Sequence, residues 1–151
     1  MLFWNQPPIM IVIAFLLTKS SIFTTAPEAY GLFSFRGDPK EGIPEDVYKS
    51  EKFLKHAHGV IGMVDKAVDL LEKDDMETLA KALQQLGGRH VGYKVDFVHY
   101  PIVGQALLQT LETALGTEAW TDELKEAWTG VYGVITENMQ TGAKAKLADA
   151  K

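Results

Sequence analysis

Between residues 50 and 139 the apolar positions recur at steps of three and four, the period at which side chains return to one side of a helix. Phe53, Ala57, Val60, Ile61, Val64, Val68 and Leu71 form the first such stripe, opened by Ser50. Leu79, Leu83, Leu86 and His90 form a second, behind an acidic start at Asp75 that suits the positive end of a helix dipole. Tyr100, Val103, Leu107, Leu111 and Leu115 make a third, ended by Gly116. Thr121 caps the fourth, with Asp122 and Glu123 in its first turn and Leu124, Trp128, Val131, Ile135 and Met139 along its face. No stretch has the two-residue alternation of a half-buried strand, and there is no internal repeat and no Gly-rich phosphate loop. The pattern predicts an all-α domain.

The flanks read differently. Residues 26–48 are loop-like, broken by Pro27, Pro39, Gly42 and Pro44, with a turn at Arg36-Gly37-Asp38-Pro39. They enclose an aromatic knot, Tyr30-Gly31-Leu32-Phe33-Ser34-Phe35, which suits core packing. Further upstream, Ile9 to Leu17 is an unbroken apolar run. As a helix it would span only about 14 Å, roughly half a bilayer core, which argues against a transmembrane span. No Lys or Arg precedes it, and the small-residue site Thr24-Thr25-Ala26 is followed by Pro27, so it is a weak match to a signal peptide. A weak targeting segment, a buried fragment and an aberrantly joined N-terminus all remain open. Residues 144–151 form a charged, Ala-rich, solvated tail. The expected organisation is an atypical apolar segment over 1–20, a domain over 21–142 and the tail from 143, in a cytoplasmic protein.

Composition narrows the chemistry. With 46% hydrophobic and 23% charged residues, the 151-residue chain is a folded globule with one core rather than a disordered one. A net charge of −5 argues against nucleic acid, whose binding is dominated by cations on phosphates. The absence of cysteine excludes disulfides, thiolate metal sites and a cysteine nucleophile. Histidine is left as the chemistry-bearing residue.

His90 holds the next position of a leucine stripe, which fits either a neutral histidine hydrogen-bonded in a core or an axial metal ligand. Gly87-Gly88 just before it would let another body approach closely, and Gly92 loosens the helix just after. His56 stands one turn before Val60 and shares its side of the first helix, whereas His58 is about 200° round. On a helix those two imidazoles cannot converge on one ion, so a zinc pair is a poor reading. His56 and His90 on two amphipathic helices suit a planar iron cofactor, one giving an axial bond and the other guarding the opposite face.

With these residues in place, the chain over 22–142 resembles the globins, and among them the neuroglobin-like and single-domain members. Ala26-Pro27-Glu28-Ala29-Tyr30-Gly31-Leu32-Phe33-Ser34-Phe35 resembles the segment leading into the family's CD corner, with Phe33 at the phenylalanine that wedges against the porphyrin. Ser50-Glu51-Lys52-Phe53-Leu54-Lys55-His56 resembles the start of the distal helix, with His56 at the distal histidine and Val60 at the apolar residue over the iron. Leu86-Gly87-Gly88-Arg89-His90 is similar to the proximal segment. Tyr100-Pro101-Ile102-Val103-Gly104 resembles the start of the G helix, and Ala127-Trp128 with Tyr132-Gly133 the H helix. An alternative alignment through His58-Gly59-Val60 would put His58 over the iron, but it moves Gly62 to the apolar position and shifts Phe53 and Val68 out of register.

The resemblance implies a three-on-three globin fold and a haem b cofactor. His90 would be the proximal iron ligand and His56 the distal residue, a possible sixth ligand. Phe33, Val60, Leu86, Val95, Tyr100 and Val103 would line the pocket and keep water out. A neutral imidazole is the axial donor that ferrous haem needs, and its second nitrogen should donate to a backbone carbonyl or a hydroxyl. A distal N–H from His56 would favour dioxygen over the less polar carbon monoxide by about 1–2 kcal/mol. The implied function is reversible binding of dioxygen and other diatomic gases, for storage, transport or sensing. The alternatives are nitric-oxide dioxygenation, nitrite reduction or peroxidase activity with an external reductase, or a remnant that no longer retains haem. The departure is at the front, where a normal A helix and most of the B helix are lacking and Lys19 falls at a distal-pocket position. Gly59 stands where a basic partner for the haem propionates often sits, leaving Arg89 as the candidate.

Overall fold

The computed structural model describes Phe23 and residues 27–33 and 45–150. Short 3-10 turns at Pro27–Leu32 and Glu45–Lys49 lead into four helices, α1 (Glu51–Glu72), α2 (Met76–Gly92), α3 (His99–Leu115) and α4 (Asp122–Ala148). Among the described residues there is no strand, and no helix is long and apolar enough to cross a membrane. The apolar run at 9–17 and the expected lack of a normal A helix and most of the B helix fall outside the described residues.

Local chemistry sets the helix ends. Ser50 lies in an extended conformation and its hydroxyl accepts the Phe53 N–H at 3.2 Å, which starts α1. At its other end Asp74 adopts the left-handed conformation, φ 55°. That turn lets the N–H groups of Asp74 and Asp75 reach back to the carbonyls of Leu71 and Leu70, at 3.1 and 2.9 Å. Asp75 then caps α2 by accepting the Thr78 N–H at 3.1 Å, so one residue closes one helix and opens the next. Thr121 caps α4 as expected, accepting from Leu124 N–H at 3.2 Å. α4 continues through 144–148, where its residues are exposed, so this charged stretch is helical.

Two cores form. The first gathers Phe23, Ala29, Tyr30, Val47, Phe53, Ala57, Ile61, Ala106, Leu107, Leu111 and Trp128. The second gathers Ala67, Leu70, Leu79, Leu83, Tyr100, Ile135 and Met139. α1 serves both, and its buried face turns as it does so. Phe53, Ala57 and Ile61 face the first core, while Ala67 and Leu70 face the second. Ala67 is six residues beyond Ile61, or about 120° round the helix. Val64, between them, packs against both cores, as does Val131 of α4. The expected single stripe through Val68 and Leu71 is therefore only half-buried at its end.

On α2 the fully buried line is Leu79, Leu83 and Gly87. Leu86 and His90, expected to continue the leucine stripe, lie beside that line and are half-buried. The reason is the partner: α2 packs chiefly on α4, and that contact claims the side of Gly87.

Candidate functional site

His90 sits in the last turn of α2, and its ring is held from behind. Its Nδ1 lies 2.8 Å from the Leu86 carbonyl oxygen, one helical turn back. A carbonyl only accepts, so the proton is on Nδ1 and the Nε2 lone pair is free. This is the tautomer that an imidazole needs to bind a metal through Nε2. The main chain is fixed as well. Lys94 is left-handed, φ 62°, and turns the chain so that the Val95 N–H donates to the His90 carbonyl at 3.2 Å. Val95 is thereby placed beside the histidine by the helix-ending turn itself. The Tyr93 ring stands edge-on to the imidazole, with centroids 5.6 Å apart.

His56 comes from the second turn of α1. Its ring meets Phe33 edge to face, 5.1 Å between centroids at 84°. Phe33 in turn stands edge-on to Phe23 at 5.5 Å, and Phe23 to Tyr30 at 5.4 Å. The aromatic knot thus builds a wall for one imidazole. His56 retains accessible area, yet desolvation is the main cause holding its pKa below the usual histidine value. The second cause is the charge of His90, which disfavours a proton on His56. Burial also lowers His90, opposed by its bond to Leu86 and aided by Arg89.

Both shifts have the same consequence for stability. The unfolded chain takes up protons near the ordinary histidine value of 6.5 while these folded rings resist them. Stability is full above that value and declines as pH falls through and below it. The apo-protein should melt at a constant temperature from about pH 8 to 7 and at progressively lower temperature below about 6.5. In His56→Leu the acid side of that profile should be shallower. An identical profile in the variant would remove His56 as a contributor.

The other expected site positions divide between the cores. Phe33 and Val103 pack half-buried against the first, Leu86 and Val95 against the second, and Tyr100 is buried within the second. Val60, one turn beyond His56, is half-buried. His58 is exposed. No group of three or more His, Asp or Glu side chains among the described residues could hold a bare ion. A metal carried in a planar macrocycle asks for less, because the ring fills the equatorial positions and only axial donors are needed. One imidazole with a free Nε2 and a second across the gap meet that need.

Two close approaches were not legible from the pattern. A Cβ at Gly87 would fall on the carbonyl of Met139, and one at Gly142 on the carbonyl of Gln84. The body that Gly87 admits is therefore helix α4, and the glycine fixes the helix that carries His90. Gly87 follows Leu83 by four residues, as Leu83 follows Leu79, which was the available signal. At the second approach, a Cβ at Gly104 would clash with the Tyr132 ring. The Tyr132 hydroxyl donates to the Tyr100 carbonyl at 2.6 Å, tying α4 to the start of α3. Burial pushes that phenol up to about 12, so it remains a donor.

An all-helical frame with an oriented imidazole on one helix and a second imidazole on its neighbour is the scaffold of a helical haem protein. Comparison with known proteins makes this specific. Residues 19–139 match the globin family model. An anaerobic nitrite reductase of Gossypium hirsutum is 35% identical over 126 residues, covering 83% of this chain and 77% of its own length. A neuroglobin of Tetraodon nigroviridis is 33% identical over 123 residues, covering 82% and 74%. An anaerobic nitrite reductase of Solanum lycopersicum is 34% identical over 130 residues, covering 85% and 80%. The chain belongs to the globin family, as its sequence resemblance implied, and is a haem-binding all-α globin.

Proposed function

We propose that residues 21–142 form a globin domain that holds haem b between His90 and His56 and reversibly binds dioxygen and other diatomic gases. The observation that supports this reading is the Nδ1–H of His90 on the Leu86 carbonyl, which leaves Nε2 for a metal. Haem supplies the iron that coordinates the gas and exchanges electrons. His90 would hold the haem through Nε2, made more basic by the carbonyl behind Nδ1. Desolvation lowers the pKa of His56, which favours its neutral form, and it would present either an N–H to the gas or its own lone pair to the metal. Phe33 braces that ring, and Val60, Leu86, Val95, Tyr100 and Val103 exclude water around the cofactor.

A second reading is favoured by the relatives named as anaerobic nitrite reductases. It has the same pocket reducing nitrite, or oxidising nitric oxide with dioxygen, on electrons from an external reductase. Nitrite with one electron and two protons gives nitric oxide and water, and His56 in its protonated form, a stronger acid because its pKa is lowered, would supply one of those protons.

One pair of variants tests the site. His56→Leu should convert a six-coordinate ferrous spectrum to five-coordinate, or speed oxygen release by about tenfold where a hydrogen bond of about 1–2 kcal/mol is lost. His58→Leu should do neither. A large effect at His58 with none at His56 would assign the distal role to His58. Turnover of nitrite by the reduced protein, absent in His56→Leu, would favour the second reading.

A further inference from the structure

The chain carries a net charge of −5, but its charges are unevenly spread. Residues 79–111 hold Lys81, Arg89 and Lys94 against Asp96 alone, and residues 127–148 hold Lys144 and Lys146 against Glu137 alone. Both stretches meet where α2 crosses α4. Beside that crossing lies an open groove of about 530 Å³, lined by Gln85, Gly88, Arg89, Gly92 and Lys146. Arg89 and Lys146 are exposed, and neither forms an ion pair among the described residues. Lys81, by contrast, is paired with Glu77. Arg89, the candidate propionate partner by resemblance, thus shares this groove with Lys146.

We propose that the Arg89–Lys146 groove is the docking surface for the acidic face of an electron-donating protein. The inference rests on the reading of this chain as a redox-active haem globin, and it names the partner that such a site requires. Three observations select this occupant. The groove flanks the C-terminal end of α2, where the helix dipole is negative, which disfavours a small free anion and leaves long-range attraction between surfaces. Its floor is Gln85, Gly88 and Gly92, with no large apolar side chain to insert into a bilayer, unlike the apolar face of a membrane-surface helix. The rest of an acidic molecule repels an acidic partner, so a local basic surface sets the orientation of encounter.

That orientation is productive. On the helix that carries His90, Gln85, Gly88, Arg89 and Gly92 lie on average about 150° round from it, nearly on the opposite side, so a docked donor is about one helix diameter, roughly 10–12 Å, from the proximal ligand. The reaction is a single electron transfer. The donor, a reduced flavin or iron–sulfur protein, loses one electron, and the ferric haem gains it and becomes ferrous.

The test uses the haem-loaded protein and a strongly acidic flavodoxin, reduced in advance, as the probe. For the unmodified protein, association by titration calorimetry and the rate of haem reduction should both fall as salt rises from about 20 to 300 mM, as screened attraction demands. In the double variant Arg89→Glu, Lys146→Glu, association at low salt should weaken by about tenfold or more, and reduction should instead quicken with salt as repulsion is screened. In the single variant Lys146→Glu, which leaves Arg89 in place, haem content and reduction by dithionite should be unchanged, while association should weaken in the same direction as in the double variant. If the reversal variant fails to fold, the Gln pair at the same positions should abolish the salt dependence. Equal affinity, rate and salt dependence in variant and parent would overturn the proposal. Capture by anionic phosphatidylserine vesicles that is lost in the variant, with no binding of flavodoxin, would overturn it in favour of a membrane surface. If the purified protein held no haem, the reading of the site would fail, while the calorimetric arm would still decide the groove.

Discussion

Replacement of His90 by glycine should strip the protein of stably held haem. The Soret band of the purified variant should fall to background, and added imidazole should restore much of it by entering the vacated space. The physical basis is that nothing else on α2 can replace the donor. The other described histidines are His56 and His58 on α1 and His99, whose Nδ1 is taken by the Asp96 N–H at 2.9 Å. Stability should fall with the cofactor. A ligand at about a hundred times its dissociation constant contributes about 2.7 kcal/mol to the folded state, and that linkage would vanish. His56→Leu should lose far less haem, since the proximal bond persists. A His90→Gly protein with a full-strength, unshifted Soret band would refute the assignment of His90.

Gly87→Ala is expected to be the most damaging single-methyl addition in the molecule. Its Cβ would meet the Met139 backbone, with even the Met139 Cα only 2.7 Å away, and main chain cannot swing aside as a flexible side chain can. The helices must part, and overpacking of this kind costs about 1–3 kcal/mol or more. Gly142→Ala faces the same obstacle in the Gln84 carbonyl. Because the two glycines share one crossing, the double variant should cost less than the sum of the singles. Gly88→Ala is the control. Its nearest neighbours would be the Gly142 carbonyl at 3.6 Å and Lys146 Cβ at 3.8 Å, ordinary contact distances. Alanine there should be neutral or stabilising by up to about 1 kcal/mol through helix propensity. Parting α2 from α4 also shifts the helix carrying His90, so Gly87→Ala should weaken haem retention while Gly88→Ala should not. Urea melts of the three variants decide it: a Gly87→Ala curve that overlays the parent would remove the close crossing.

Much of the frame could be read in advance because it is local. The caps at Ser50 and Thr121, the acidic start at Asp75 and the stop at Gly116 act within a turn of their own helix, and each falls where the residue types put it. The partner of the His90 ring belongs to the same category. A backbone carbonyl or a hydroxyl was expected behind it, and the partner found, the carbonyl of Leu86, is four residues away on the same helix. The Lys94 and Asp74 turns were not expected, since neither residue is the glycine that a left-handed position favours.

The sequence by itself determined that the chain is helical, where its helices start, which residues share a face and which two imidazoles are available for chemistry. Periodicity supplies an angle around one helix axis, and that is enough for those conclusions. It does not say what lies opposite. Only the tertiary structure decided that α1 would turn from one core to another at Val64, and that Gly87 would receive α4 rather than leave space for a cofactor. Only it brought His56 within electrostatic reach of His90 and backed it with Phe33. Such contacts join residues tens of positions apart, and they depend on which helix takes each neighbouring place. That choice is made by the packing of whole faces, backbone against backbone at Gly87 and Gly142, and no single stripe contains it.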